Sequence, residues 1–208
     1  DLVVPVIEDA AYRDLYFDAP YPSRTVFSIE AYAGFPKLLL GTFTKPFATG
    51  MKVGYGVCSV PDLMDRMLST KGHHDFGTSN FSQSVIEYIL KAGRYTGYLD
   101  EIRSHYREKA DRMHESLIRA GLPEAGWSWN KPGGGLLMWV RGPEHIDTRI
   151  GGDFCDACIE KGVLYVPGDL SLTGNEPRNY VRLSYGALPA ERLEEANRRF
   201  AEVATAFG

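Results

Sequence analysis

Three short apolar runs, at 3–7, 38–43 and 53–58, are bounded by turn-forming residues and are apolar on both faces. Each is too short for a helix, so the pattern predicts central, buried, largely parallel strands. Between and after them come helical patterns at 61–68, with Pro61 in a first-turn position, and at 82–91. The first ninety residues therefore read as an α/β layer. A long helix follows, because Tyr95, Leu99, Ile102, Tyr106, Ala110, Met113 and Leu117 recur at spacings of three and four and Gly121 follows. Its other face, with Arg103, Arg107, Glu108, Asp111, Arg112 and Glu115, reads as solvated and laced by i,i+4 pairs. Beyond it the pattern predicts an extended stretch at 127–130, strands at 136–140, 163–166 and 180–184, and a helix at 153–160. A final amphipathic helix runs through Leu193, Ala196, Phe200, Val203 and Phe207. This is a second, smaller α+β lobe, with the boundary near 93–97.

Composition narrows the functional classes. With 44% hydrophobic and 24% charged residues in 208, the chain is globular rather than disordered or fibrous. The 23 Lys+Arg against 27 Asp+Glu leave −4, which gives no general field for gathering nucleic acid or an anionic membrane. Small-molecule chemistry is the expectation. The longest apolar runs fall far short of the roughly 20 residues of a membrane-spanning helix. Three cysteines do not form a disulfide framework and point to a reducing compartment, the cytoplasm. The chain starts at Asp1 without a Met or a leader pattern and reads as entered mid-protein.

Ligands of α/β sheets bind outside the carboxyl ends of strands, and three turns beside the predicted strands are unusually polar. The first strand runs into Glu8-Asp9-Ala10-Ala11-Tyr12 and the second into Gly41-Thr42-Phe43-Thr44-Lys45. The next turn is Gly50-Met51-Lys52-Val53-Gly54-Tyr55. Together they offer a carboxylate, an amine, hydroxyls, backbone amides and a second cation. That is equipment for an aldehyde-bearing, phosphorylated heteroaromatic cofactor, with Lys45 forming the imine and Lys52 pairing with phosphate.

These residues resemble the fold-type I pyridoxal-phosphate (PLP) enzymes, most closely the class I and II aminotransferases. Asp9 and Tyr12 in VIEDAAYRDLYFD match an Asp followed three residues later by Tyr. Thr42, Thr44 and Lys45 in GTFTKPFATGMKVGYG match a Ser/Thr-x-Ser/Thr-Lys segment with a basic residue before Gly-Tyr. Asn179, Arg182, Leu183 and Ser184 in NYVRLSYG match Asn-x-x-Arg-Leu-Ser. TSNFSQSVIEYIL, KPGGGLLMWVRGP and GVLYVPGD also look like the family. That basic residue is usually Arg; Lys52 lacks the bidentate fork.

The resemblance implies an α/β fold: part of the large-domain sheet of a PLP-dependent transferase over 1–95, then a small α+β C-terminal domain over 96–208. The chain then looks like the second half of an enzyme, without the segment that stacks on the cofactor ring. It implies PLP-dependent transamination between an α-amino acid and an α-keto acid, through a Schiff base on Lys45, in a homodimer. Asp9 would pair with the pyridine nitrogen, Tyr12 with the ring oxygen, and Thr42, Thr44 and Lys52 with phosphate. Arg182, with Asn179 near it, would grip the substrate carboxylate. Two alternatives stay open: lyase, decarboxylase or cyclase chemistry on the same cofactor, and the non-catalytic effector-binding domain of a transcription regulator.

Three further features are read as structural. Cys155-x-x-Cys158 lies in a helical pattern without a second ligand pair, and no metal site is expected. His73-His74 falls in a predicted loop, where metal binding is not expected. Gly133-Gly134-Gly135 lacks the strand and helix of a phosphate loop and reads as a close approach of backbone to a neighbour.

Overall fold

The computed structural model describes residues 4–18, 23–174 and 177–208. Two compact units divide the chain, 1–103 and 104–208.

In the first unit, β1 (Val6–Asp9), β2 (Lys37–Thr42) and β3 (Gly54–Cys58) form a sheet in the order β1-β2-β3. β1 starts three residues later than the predicted run, whose residue 3 lies outside the described residues. β1 pairs with β2 in parallel, whereas β3 is antiparallel to β2. The expectation of buried, largely parallel strands is corrected here. A parallel return needs a crossover of a dozen or more residues, usually a helix. The segment 43–53 instead folds back at once, with the N–H groups of Phe47 and Ala48 both donating to Phe43 C=O. β3 is consequently an edge of this sheet, and Tyr55 and Val57 are 44% and 48% exposed.

The helix α1 (Pro61–Asp75) runs well past residue 68 and takes in His73 and His74, so their predicted loop is corrected. An i,i+4 ion pair, Lys71 to Asp75, supports its last turn, and Phe76 ends it in a left-handed conformation (φ 51°). In α2 (Asn80–Lys91), Ser79 caps the start by accepting the Ser82 N–H at 3.3 Å. The helix α3 (Tyr95–Arg119) follows the periodic pattern, and Gly121 beyond it has φ 78°. Arg103 departs from the solvated face assigned to it. Its side chain is 14% exposed, lies 3.9 Å over the Tyr16 ring, and donates through Nε to Asp14 C=O at 2.7 Å.

The second unit is a four-stranded antiparallel sheet in the order β4-β5-β7-β6, from β4 (Ser128–Trp129), β5 (Leu137–Arg141), β6 (Val166–Pro167) and β7 (Tyr180–Ser184). β6 is shorter and later than the predicted 163–166; Pro167, which has no N–H, sits on an edge strand. Met138, Val140, Val181 and Leu183 alternate into the core. The unit also holds α4 (Asp153–Glu160) and α5 (Ala190–Ala206). Phe154 of α4 and Phe200 of α5 meet the buried Trp127 at ring distances of 5.4 and 5.5 Å. Cys155 and Cys158 are free thiols buried on α4, and burial pushes the Cys158 thiol up to about 12. The close approach expected of the three glycines is met at Gly134, whose C=O accepts the buried Tyr185 hydroxyl at 2.8 Å, and not at its two neighbours. A Cβ at Gly133 or Gly135 meets nothing, and Gly135 is needed for its φ of 81°.

Candidate functional site

Successive residues of a strand face opposite ways, and the two carboxylates ending β1 divide accordingly. Glu8 turns inward, where Oε2 accepts the Val26 N–H at 2.7 Å and Oε1 meets Arg13 at 3.3 Å. Asp9 stays exposed, its Oδ1 accepting the Ala11 N–H at 3.1 Å. The Ala10 N–H donates to Leu40 C=O, and the chain then turns through Tyr12, whose ring is partly solvent-facing.

The end of β2 lies beside this turn because Asp9 is in register with Leu40. Thr42 ties down the turn that leaves β2. Its hydroxyl donates to Val53 C=O at 3.1 Å and accepts the Thr44 N–H at 3.0 Å, so its proton is spent inside the turn. Lys45 is half-buried in that turn, with Nζ 5.6 Å from the centroid of the Tyr12 ring. Lys52 is exposed just before β3, and its left-handed backbone (φ 53°) is uncommon for a residue with a side chain. Thr42 in turn is in register with Gly54. Asp9, Tyr12, Thr42, Thr44, Lys45 and Lys52 therefore share one end of the three-stranded sheet. An exposed carboxylate, a phenol, an amine and a second cation form a donor set that fits a phosphorylated, aldehyde-bearing ring.

In the second unit, Asn179 is buried just before β7, and its side-chain amide donates to Gly142 C=O at 2.5 Å. The Gly142 N–H donates back to Asn179 C=O at 2.7 Å. Arg182 sits mid-strand between Trp139 and Val166. Its Nε is shielded from solvent and has no hydrogen-bond partner among the described residues. A shielded donor of this kind is costly unless something accepts from it.

The family model described as Aminotransferase class I and II matches residues 3–200. The chain belongs to the class I and II aminotransferases. It is similar to the 2-aminoadipate transaminase of Thermus thermophilus, with 33% identity over 93% of this chain and 47% of the relative. An α-aminoadipate aminotransferase, also from Thermus thermophilus and solved with N-(5'-phosphopyridoxyl)-L-leucine, matches at TM-score 0.87 and 30% identity. That match covers 99% of this chain and 50% of the solved one. An uncharacterized HTH-type transcriptional regulator of Bacillus subtilis is 28% identical over 92% of this chain and 38% of its own length. The chain thus spans about half the length, or less, of the relatives it matches.

Several residues around this end of the sheet escaped the sequence reading. The ring of Tyr55 lies across Gly41, where a Cβ would stand 2.2 Å from Tyr55 Cζ. Phe43 contacts Tyr55 and Tyr95 at 5.5 and 5.6 Å, and the Tyr98 hydroxyl donates to Phe47 C=O at 2.7 Å. These aromatics brace the Lys45 turn. Burial, with Asp14 next in importance, raises the Tyr55 and Tyr95 hydroxyls above their ordinary range. Only the Gly-Tyr pair of the motif hinted at Tyr55. No periodic signal marked the others as neighbours. Among the described residues, no group of three or more His, Cys, Asp or Glu is arranged to hold a metal ion.

Proposed function

We propose that this chain carries the lysine-bearing half of a PLP-dependent transaminase, which passes an amino group between an α-amino acid and an α-keto acid. The observation that supports this most directly is Lys45 Nζ facing the Tyr12 ring at the sheet end that also bears Asp9 and Lys52. The transaminase names of the matched relatives support it further. We read the chain as the second half of such an enzyme, 1–95 from the large domain and 96–208 as the small one. A homodimer and a cytoplasmic location belong to the same reading, the latter on three free cysteines. Among the described residues no helix is long and apolar enough to cross a membrane.

PLP, when bound, supplies an electron sink for the charge left on a substrate α-carbon that has lost its proton. Lys45 would hold the cofactor through its amine, and that amine, when free, would take up and return the α-proton. Asp9 would hold the cofactor's ring nitrogen as an acceptor and favour its protonated form. Tyr12 would donate its hydroxyl to the ring oxygen. Thr44 and Lys52 hold the phosphate, while Thr42, its proton already committed to Val53, shapes the turn that presents them. Arg182 receives the substrate carboxylate through parallel N–H bonds, which fixes the orientation of the α-carbon. Asn179 acts through β7 as a positioning residue, because its amide is bound to Gly142.

The test is a PLP titration of the full-length protein, followed by borohydride reduction and peptide mapping. A pyridoxyl group on Lys45 alone, absent from Lys45→Ala, is expected, together with one equivalent of keto acid from an amino acid in a single half-reaction. Label on other lysines, or a half-reaction undiminished in Lys45→Ala, overturns the reading. Amino-acid binding without amino transfer points instead to a non-catalytic effector-binding domain of a transcription regulator.

A further inference from the structure

Arg182 stands directly opposite Trp139 on one side and Val166 on the other. Opposed residues of antiparallel strands project from the same face with Cβ atoms about 5 Å apart. The guanidinium therefore rises between an indole and an isopropyl group. Tyr180, two residues before Arg182, shares this face and stacks on Trp139, with ring centroids 5.4 Å apart and planes inclined by 24°. Gly168 locks the pair in place. A Cβ there would lie 2.4 Å from Tyr180 Cβ, 2.9 Å from the Tyr180 carbonyl oxygen and 3.1 Å from Trp139 Cη2. Backbone after β6 thus presses on both residues. Trp139 nevertheless remains 37% exposed, whereas Trp127 is buried and Trp129 Nε1 donates to His114 Nδ1. Arg141, another cation of this face, is paired with Glu144 at 3.1 Å.

We propose that the stacked Trp139–Tyr180 pair is a specificity-determining ledge, which packs against the planar apolar substituent of a monocarboxylate held by Arg182. The inference rests on the reading of Arg182 as the carboxylate-binding residue. A carboxylate seated on this guanidinium brings its next carbon atoms within a side-chain length of the indole. A ring there stacks on an aromatic surface already fixed by Gly168, with little ordering left to lose. A second carboxylate in the same place would lose water against Trp139 and Val166 without gaining a free cation. Acids with an aromatic side chain are favoured over dicarboxylic ones.

The experiment compares propionate, 3-phenylpropionate and glutarate as ligands of the full-length protein and of its Trp139 variants by calorimetry. 3-Phenylpropionate is expected to bind about tenfold tighter than propionate, a gain of the size aromatic stacking supplies. Glutarate is expected to bind no tighter than propionate. Trp139→Ala should erase the phenyl gain and leave propionate affinity within about twofold, and Trp139→Phe should keep most of the gain. Should Trp139→Ala not fold, Trp139→Leu retains apolar volume without the ring and serves the same comparison. A phenyl gain that survives loss of the ring, or tightest binding by glutarate, overturns the ledge. Carboxylate binding that Arg182→Gln abolishes, but with no phenyl preference, also overturns the ledge and leaves the Arg182 reading standing. Absence of binding, or binding indifferent to Arg182→Gln, overturns both.

Discussion

Lys45 Nζ lies 5.6 Å from the centroid of the Tyr12 ring, although the two residues belong to turns after different strands. The contact exists because β1 and β2 pair in parallel, which puts both strand ends on the same side of the sheet. An ammonium over a partly exposed ring gains about 0.5–1 kcal/mol. Tyr12→Phe keeps the ring and should leave unchanged the rate of Lys45 labelling by borohydride and formaldehyde, an aldehyde with no ring oxygen for the Tyr12 hydroxyl to reach. Tyr12→Leu removes it and should alter that rate about two- to fivefold. Equal rates in all three proteins would show that the contact does not govern the amine.

Gly41 has a close neighbour rather than an unusual backbone. A Cβ at this position would meet Tyr55 Cζ at 2.2 Å and its hydroxyl oxygen at 2.5 Å. Gly41→Ala should therefore cost about 1–3 kcal/mol, the usual range for overpacking. Urea unfolding measures the loss. Adding Tyr55→Leu should recover part of it, because the clash is with the ring; a strictly additive double variant would refute this coupling.

Asn179 and Arg182, three residues apart in one motif, should fail differently. Asn179→Ala leaves Gly142 C=O without its buried donor and should cost about 1–3 kcal/mol of stability. Arg182→Lys abolishes the paired N–H geometry and should lower carboxylate affinity about tenfold or more, with a much smaller stability change. Chemical denaturation and ligand titration on each variant separate the two effects. The opposite pattern would exchange the roles assigned here.

Alkaline pH should unfold the second unit early. Burial raises the Cys158 thiol to about 12, and it also raises the Tyr165 and Tyr185 hydroxyls. For each, the unfolded chain releases its proton at a lower pH than the folded one, so stability falls as pH rises. The contribution is intact below about 8.5, the ordinary thiol value, and is lost progressively toward about 12. Melting temperature measured from pH 7 to 11 should decline from about pH 9. Cys158→Ala should decline less steeply, and an identical slope would rule out the thiol as a contributor.

Much of this architecture was legible in the chain because the governing patterns are local. The periodic residues from Tyr95 to Leu117 produced α3, and 180–184 and 153–160 became β7 and α4 with the same bounds. The ordered polar turns likewise singled out Asp9, Tyr12, Lys45 and Lys52, which the sheet brings to one end. Arg103 shows where this fails. Its spacing places it among solvated charges, yet Tyr16 and Asp14 C=O cover it, and no helical periodicity encodes a contact with a distant turn.

The sequence by itself determined most of the elements and the residue types available for chemistry. Hydrophobic period and turn propensity act over a few residues and survive without tertiary context. Tertiary structure alone decided the antiparallel course of β3, the division of labour between Glu8 and Asp9, and the commitment of Thr42 and Asn179 to backbone partners. It also decided that Arg182 Nε is shielded and, among the described residues, has no hydrogen-bond partner. Which donor meets which acceptor depends on register and on distant chain crossing a strand end, and these are properties of the assembled sheet.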